Sequence, residues 1–294
     1  MSRDGFEREI TRDKGEPRGH DVGAKVLFGG VGFMDTPYKA APDVWVLPSS
    51  LTLPGVGTLV VNAFVILADE PVLVDAGLAL DSPEFVEQLW SIVPPEDLRW
   101  VWLTHDDADH TGSLQRVLEE APQARLVTHA LGAIRVSTWC PIDLNRVLAL
   151  TPDLALDVGD RTLQALRPPL FDNPMTTGIL DGRTGTLYSV DAFGAILPGA
   201  AQDVADFAES DLTQGMVGWA TFDSPWTHLT DGAKYEEALD RLRRLAPNDI
   251  LSSHLPPARG RIEPFLKILA TVPSAEPFVP PDQPAFEAMI AGLG

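Results

Sequence analysis

The sequence predicts an α/β protein in which two mixed β-sheets pack face to face between outer layers of helices. Two observations predict it. Short apolar runs of strand type crowd the first part of the chain and return in its second half, with amphipathic helical stretches between them. In three places such a run ends in residues that can ligate a metal: His105 to His110 after Trp100–Leu103, Asp191 after Thr186–Val190, and His254 after Asp249–Leu251. Strand ends on one edge of a sheet converge, so residues far apart in the sequence can share a site there.

Taken in order, residues 1–22 are highly charged and carry Gly15, Pro17 and Gly19, which reads as a loose arm with His20 exposed on it. Gly29-Gly30-Val31-Gly32 would open a nucleotide-binding loop only if the glycine spacing continued; position 35 is Asp35, so these are turn glycines. Val44–Leu47, Thr58–Leu67 and Val72–Val74 read as strands, with Asp69-Glu70-Pro71 turning between the last two. A helix opens at Asp81-Ser82-Pro83, a capping residue followed by a proline early in the first turn. It buries Phe85, Val86, Leu89, Trp90 and Val93 and stops at Pro94-Pro95. Trp100–Leu103 is a buried strand, 112–120 a helix, and Arg125–Val127 a short strand; 138–160 yields no pattern. Thr162–Leu166 is a strand, Leu170–Pro174 a turn, and Ile179-Leu180 with Thr186–Val190 a hairpin about Asp181-Gly182-Arg183. Residues 198–230 read as loops. A helix over 232–245, the strand Asp249–Leu251, a helix over 261–271 and a proline-rich segment with a short helix complete the chain. The domain organisation expected is an arm over 1–40, one domain over 41–272 and a tail over 273–294.

Composition narrows the function classes. Hydrophobic residues make up 45% of 294, enough for a substantial core. The formal charge of −20 repels nucleic acid and anionic lipid, and a polyanionic substrate too unless bound metal reverses the sign locally. The single cysteine, Cys140, allows no internal disulfide and reads as an ordinary buried thiol. The longest apolar run, Leu59–Ala68, contains Asn62 and is too short to span a bilayer, and Met1–Asp21 has no apolar signal core. A cytoplasmic protein without membrane or nucleic-acid partners is expected, with a homodimer left open.

The chemistry concentrates in Thr104-His105-Asp106-Asp107-Ala108-Asp109-His110-Thr111-Gly112. Two imidazoles and three carboxylates in six residues are unfavourable neighbours unless a cation sits among them. A solvated acidic loop before a helix start is the plainer reading. A calcium loop beginning at Asp107 would need a carboxylate at position 118, which is Leu118.

These residues resemble the metallo-β-lactamase superfamily over about 44–260. The family motif is His-x-His-x-Asp-His followed by a His, an Asp and a His. Thr104-His105, Asp109-His110-Thr111-Gly112, Ser189-Val190-Asp191 and Ser253-His254 match it. The resemblance implies a sandwich of αβ/βα type with a dinuclear metal site. Two departures direct the functional reading. The second motif His is Asp107 here, where the flavodiiron and oxygen-binding diiron branch carries Glu. The next family His is also missing: His129 lies only 19 residues after His110 and reads as structural. Phe171-Asp172-Asn173-Pro174 resembles the His-Trp-Pro turn of that branch and puts Asp172 in the ligand place, 19 residues before Asp191. Asp191-Ala192-Phe193-Gly194 resembles its Asp-x-Phe-Gly.

The implied ligands are His105, Asp107, Asp109, His110, Asp172, Asp191 and His254, with Asp191 bridging two metals. Carboxylate-rich sites suit iron or manganese better than zinc. The function expected is a diiron redox protein that binds or activates O2; a zinc or manganese hydrolase using a bridging hydroxide is the alternative, and a non-catalytic gas sensor a third. No chain remains for a flavodoxin-like domain, so an external reductase or the substrate is expected to supply electrons. Asp107 and Asp191 are expected to serve catalysis as well as binding. His228, beside Trp226 in a segment that could cover the site, is a candidate proton donor, and Asp75 a candidate to orient a ligand from behind.

Overall fold

The computed structural model describes residues 33–53 and 55–291. The arm residues 1–22, with His20, and the glycines of 29–32 lie outside the described residues.

The first sheet is built from β1 (Phe33–Met34), β2 (Tyr38–Ala41), β3 (Val44–Leu53), β4 (Gly57–Ile66), β5 (Val72–Val74), β6 (Trp100–Trp102), β7 (Arg125–Thr128) and β8 (Val147–Ala149). Its order is β1-β3-β4-β5-β6-β7-β8, with β2 paired to β3. The second sheet contains β9 (Ala155–Asp157), β10 (Thr162–Leu166), β11 (Gly178–Asp181) and β12 (Thr186–Val190). The chain returns briefly to the first sheet as β13 (Ile196–Leu197), on β4, before adding β14 (Asp249–Ser252) and β15 (Leu255–Arg259). The second sheet runs β15-β14-β12-β11-β10-β9. β5 to β8 are mutually parallel, and so are β12 and β14. The two sheets and their helices make the metallo-β-lactamase fold.

Strand alternation sorts residues between layers. Val72 and Val74 of β5, Trp102 of β6, Tyr188 of β12 and Leu251 of β14 fill the space between the sheets. Their neighbours Leu73 and Val101 face the helices of the first sheet; Leu187 and Ile250 face those of the second. The first helical layer is α1 (Ser82–Ile92), α2 (Ala108–Thr111), α3 (Leu114–Glu120) and α4 (Ala130–Val136). The second is α5 (Glu209–Asp223), α6 (Gly232–Leu245) and α7 (Ile262–Leu269), with α8 (Gln283–Ala291) in the tail.

The elements differ from expectation in specific places. Residues 198–230 are not mainly loop: α5 occupies fifteen of them and buries Leu212, Met216, Trp219 and Ala220. The helix expected over 112–120 begins only at Leu114, after a separate short helix over Ala108–Thr111, because the two residues between them are tied back to the segment after β5: Gly112 N donates to Gly77 O and Ser113 N to Ala76 O. β3 continues through Pro48 to Leu53, and β1, on the arm side of the expected boundary at residue 40, and β2, which crosses that boundary, pair with it.

Between the sheets Tyr188 packs edge-on against Phe64, ring centroids 5.4 Å apart. Its hydroxyl is buried and has no hydrogen-bond partner among the described residues. Removing an unpaired buried polar group while keeping the ring is neutral or favourable. Tyr188→Phe is therefore expected to leave stability unchanged or raise it by about 1 kcal/mol, as read by denaturant melts.

Candidate metal centre

The site sits where the parallel strands of both sheets end. β6 delivers His105, and the turn leading into α2 carries Asp107 while α2 itself carries Asp109 and His110. β12 delivers Asp191 and the turn after β14 delivers His254. Asn62, in the middle of β4, locks the two sheets together here. Its Nδ2 donates to Ser252 O (3.0 Å) and Leu255 O (2.9 Å), and its backbone N donates to Ser253 O (2.8 Å).

Asp191 is the centre. One carboxylate oxygen stands 3.2 Å from His105 Nε2; the other stands 3.2 Å from His110 Nε2 and 3.1 Å from His254 Nε2. Asp107 and Asp172 flank His105 at 3.8 and 3.9 Å, and Asp109 lies 3.3 Å from His254 and 3.6 Å from His110. The groups fall into two clusters that share Asp191: His105, Asp107 and Asp172 on one side, Asp109, His110 and His254 on the other. All seven residues expected from sequence come together.

The imidazole tautomers show what this arrangement is built to hold. His254 Nδ1 donates to the carbonyl of Val60 (2.9 Å), which can only accept. His110 Nδ1 lies 2.8 Å from Asp75 Oδ2 and donates to it. Thr104 Oγ1 donates to Asp75 (2.9 Å) and so accepts from His105 Nδ1 (3.1 Å). With hydrogen on every Nδ1, each neutral ring turns the lone pair of Nε2 toward a carboxylate. Two acceptors at such distances repel unless a proton or a metal ion lies between them, and a histidine whose far nitrogen donates to a carboxylate or carbonyl is a common metal ligand. Among the described residues, no donor other than the imidazoles reaches either buried oxygen of Asp191, and His110 Nε2 faces only carboxylates. The donor set fits two metal ions.

Protons act as the competitors of metal. His254 is pushed up to about 10: burial opposes its charge, but hydrogen bonds and charge from Asp109 and Asp191 outweigh it. His110 is likewise raised despite burial, by Asp109, Asp75 and Asp191, whereas burial and the charge of His110 lower His105. Asp191 is held well below the usual carboxylate range: burial opposes its charge, but the charges of His105 and His110 outweigh it. Burial, an Asp107 hydrogen bond and neighbouring carboxylates raise Asp172 to about 8. Metal must displace these protons, so apparent affinity climbs as pH rises. In the metal-free protein the raised carboxylate destabilises the fold progressively above pH 3.8, up to about 8. The raised His254 stabilises fully below 6.5, and that stabilisation is lost as pH rises through about 10. The gap in melting temperature between metal-loaded and metal-free protein is therefore expected to widen steadily from acidic pH to about pH 8. A pH-independent gap would contradict this proton–metal exchange.

The backbone is strained where it presents the ligands. Asp75, Val190 and Phe193 have φ of 61°, 59° and 67°. A Cβ on Gly194 would lie 2.5 Å from Trp219 Nε1, and that nitrogen donates to Asp191 O at 3.1 Å. The glycine admits the indole that holds Asp191. Asp75→Ala, which frees His110 and Thr104, is expected to weaken metal binding by about 10- to 100-fold, as read by competition with a chelator.

Other expected residues fall elsewhere. His129 caps α4, its Nδ1 accepting from Leu131 N at 3.2 Å, and joins neither cluster. His228 is exposed on the 3₁₀ turn Pro225–Leu229, in which Thr227 is the buried residue, and is not brought among the ligands. Its neighbour Trp226 does reach the site's rim, donating from Nε1 to Phe171 O at 2.8 Å. Three contributors escaped the sequence reading. Asn173 Nδ2 donates to both Asp106 and Asp107, tying the Asp172 turn to the motif. Trp219 packs against His254, ring centroids 4.5 Å apart. Asp223, at the end of α5, clusters with Asp172 and Asp191.

Fold and site together define a metallo-β-lactamase-fold protein with a carboxylate-rich cluster that could hold metal ions. The family model described as ODP family beta lactamase matches residues 59–254, two thirds of the chain, and the chain belongs to that family. It is 30% identical over 135 residues to a putative diflavin flavoprotein A 1 of Thermosynechococcus vestitus, a stretch that covers 46% of this chain and 24% of that protein. Among solved structures, the flavodiiron protein from Giardia intestinalis superposes with a TM-score of 0.72 at 17% identity, over 83% of this chain and 60% of that one. Rubredoxin oxygen:oxidoreductase from Desulfovibrio gigas gives 0.68 at 17% identity, over 80% and 60%. The chain thus spans about a quarter of the length of that flavoprotein relative and under two thirds of these solved chains.

Proposed function

We propose that this protein is a dinuclear-iron oxidoreductase that binds or reduces O2 or a similarly small diatomic substrate. The observation that carries the reading is the pair Asp107 and Asp172 beside His105. They leave three imidazoles against four carboxylates among the seven expected ligands, a donor set suited to iron or manganese more than to zinc. The names of the similar proteins support it, since they speak of flavodiiron and oxygen:oxidoreductase chemistry.

When bound, the metal pair would supply the redox chemistry. His105, Asp107 and Asp172 would hold one metal, Asp109, His110 and His254 the other, and Asp191 would join them. Asp75, Thr104 and the Val60 carbonyl keep the three imidazoles in the ligating tautomer. Trp219 packs against His254, and the Phe171–Trp226 pair lies beside the Asp172 turn. Electrons would come from a reductase or from the substrate.

The test is reconstitution of metal-free protein with ferrous iron under anaerobic conditions, then mixing with O2 in a stopped-flow instrument. Rapid appearance of a visible chromophore with consumption of O2, lost in Asp107→His, is expected. A silent optical trace together with zinc-dependent ester or amide hydrolysis would replace the proposal with a hydrolase.

A further inference from the structure

We propose that Asp223 is a metal ligand, a further carboxylate on the His105 side of the centre that reserves this position for a hard divalent cation such as manganese(II) or ferrous iron. The inference rests on the dinuclear reading above and adds to it a chemical difference between the two positions.

Three observations carry it. First, Asp172, Asp191 and Asp223 each bring a carboxylate oxygen within 4.8 Å of the other two. Asp191 is 3% exposed, and among the described residues no donor other than the three imidazoles reaches its oxygens. Like charges held this close disfavour the ionised state of the group unless a cation joins them. Second, no arginine or lysine forms an ion pair with any of the three among the described residues; the hydrogen bond to Asp223 comes from the hydroxyl of Ser224, at 3.2 Å. Third, the placement is held firmly. Asp223 is the last residue of α5, where the helix dipole opposes a negative charge. One turn earlier Trp219 is hydrogen-bonded to Asp191 O and packed against His254. The following residue, Ser224, is fully buried, and its N–H bonds to Ala220 O. The fold therefore spends a rigid helix end on putting a carboxylate where a purely structural residue would be unfavourable.

With Asp223 included, one metal position offers His105 with Asp107, Asp172, Asp191 and Asp223; the other offers His110 and His254 with Asp109 and Asp191. Oxygen-dominated sets favour hard cations and imidazole-richer sets favour zinc and its neighbours, so the two positions differ in metal preference.

The experiment titrates the metal-free full-length chain with manganese(II) alone, following the free ion by EPR. Wild type is expected to bind two ions with unlike affinities. Asp223→Asn, which keeps the shape and removes the charge, is expected to weaken one of them by about 100-fold or more and leave the other unchanged, while the melting temperature of the metal-free protein stays level or rises. Asp223→Ala provides the same readout should the asparagine variant misfold. Two wild-type affinities in both variants would overturn the assignment of Asp223 and leave the dinuclear reading intact. Fewer than two ions bound by wild type would overturn both.

Discussion

Asp191→Ala is expected to abolish tight binding at both metal positions at once. Its two carboxylate oxygens face different clusters, one toward His105 and the other toward His110 and His254. Replacing any other ligand removes a donor from one position; replacing Asp191 removes a donor from each and the link between them. Metal held only by the folded state stabilises by about 2.7 kcal/mol per site when present at 100 times its dissociation constant. The stabilisation that metal adds to wild type should therefore vanish in the variant. Metal-free wild type and metal-free variant should melt closer together, because the remaining loss is confined to charge pairing with His105, His110 and His254. Metal analysis after gel filtration, paired with melts in the presence and absence of chelator, reads both effects. Retention of two ions per chain would show that Asp191 is not shared.

Gly112→Ala is expected to damage both fold and site. An added Cβ would lie 2.1 Å from Ala79 N, 2.2 Å from Leu78 C and 2.6 Å from Gly77 O. These are backbone atoms, which cannot swing aside as a side chain can. The two segments are laced by Ala76 N to His110 O, Gly112 N to Gly77 O and Ser113 N to Ala76 O, at 2.7 to 2.9 Å. Prising them apart would also separate Asp75 from His110. Overpacking costs about 1–3 kcal/mol when side chains can adjust, and more is expected here. Gly218 supplies the control: nothing lies within 4 Å of its would-be Cβ, and it sits inside α5. Gly218→Ala is expected to stabilise by roughly 0.5–1 kcal/mol. Equal melting temperatures for the two variants would contradict the close approach seen at Gly112.

The candidate ligands that follow strands were legible because the signal is local. An apolar run, a sharp stop and a potential metal ligand lie close together after β6, β12 and β14 alike. Asp172 was legible only through the resemblance of its turn, since no periodic segment leads to it. Helix α5 was obscured by its own composition. Leu212, Met216, Trp219 and Ala220 do recur at helical spacing, but Thr213, Gly215, Gly218 and Thr221 are poor helix formers, and packing decides the outcome. With the helix unseen, Asp223 and Trp219 had no location relative to the site. Strand β15 begins Leu255-Pro256-Pro257, a sequence that argues against a strand; it is tolerated because β15 is an edge and pairs with β14 alone. The tautomer-fixing contacts from Val60 and Thr104 to the histidines are long-range or depend on side-chain direction, and no sequence pattern carries them.

The central claim is that two metal ions share Asp191. The most direct measurement is EPR and Mössbauer spectroscopy of protein reconstituted anaerobically with ferrous iron and then oxidised by one electron. The account predicts two irons per chain and the spectrum of a coupled mixed-valent pair, lost in Asp191→Ala. A single iron per chain, or isolated high-spin ferric signals with no coupling between them, would contradict it.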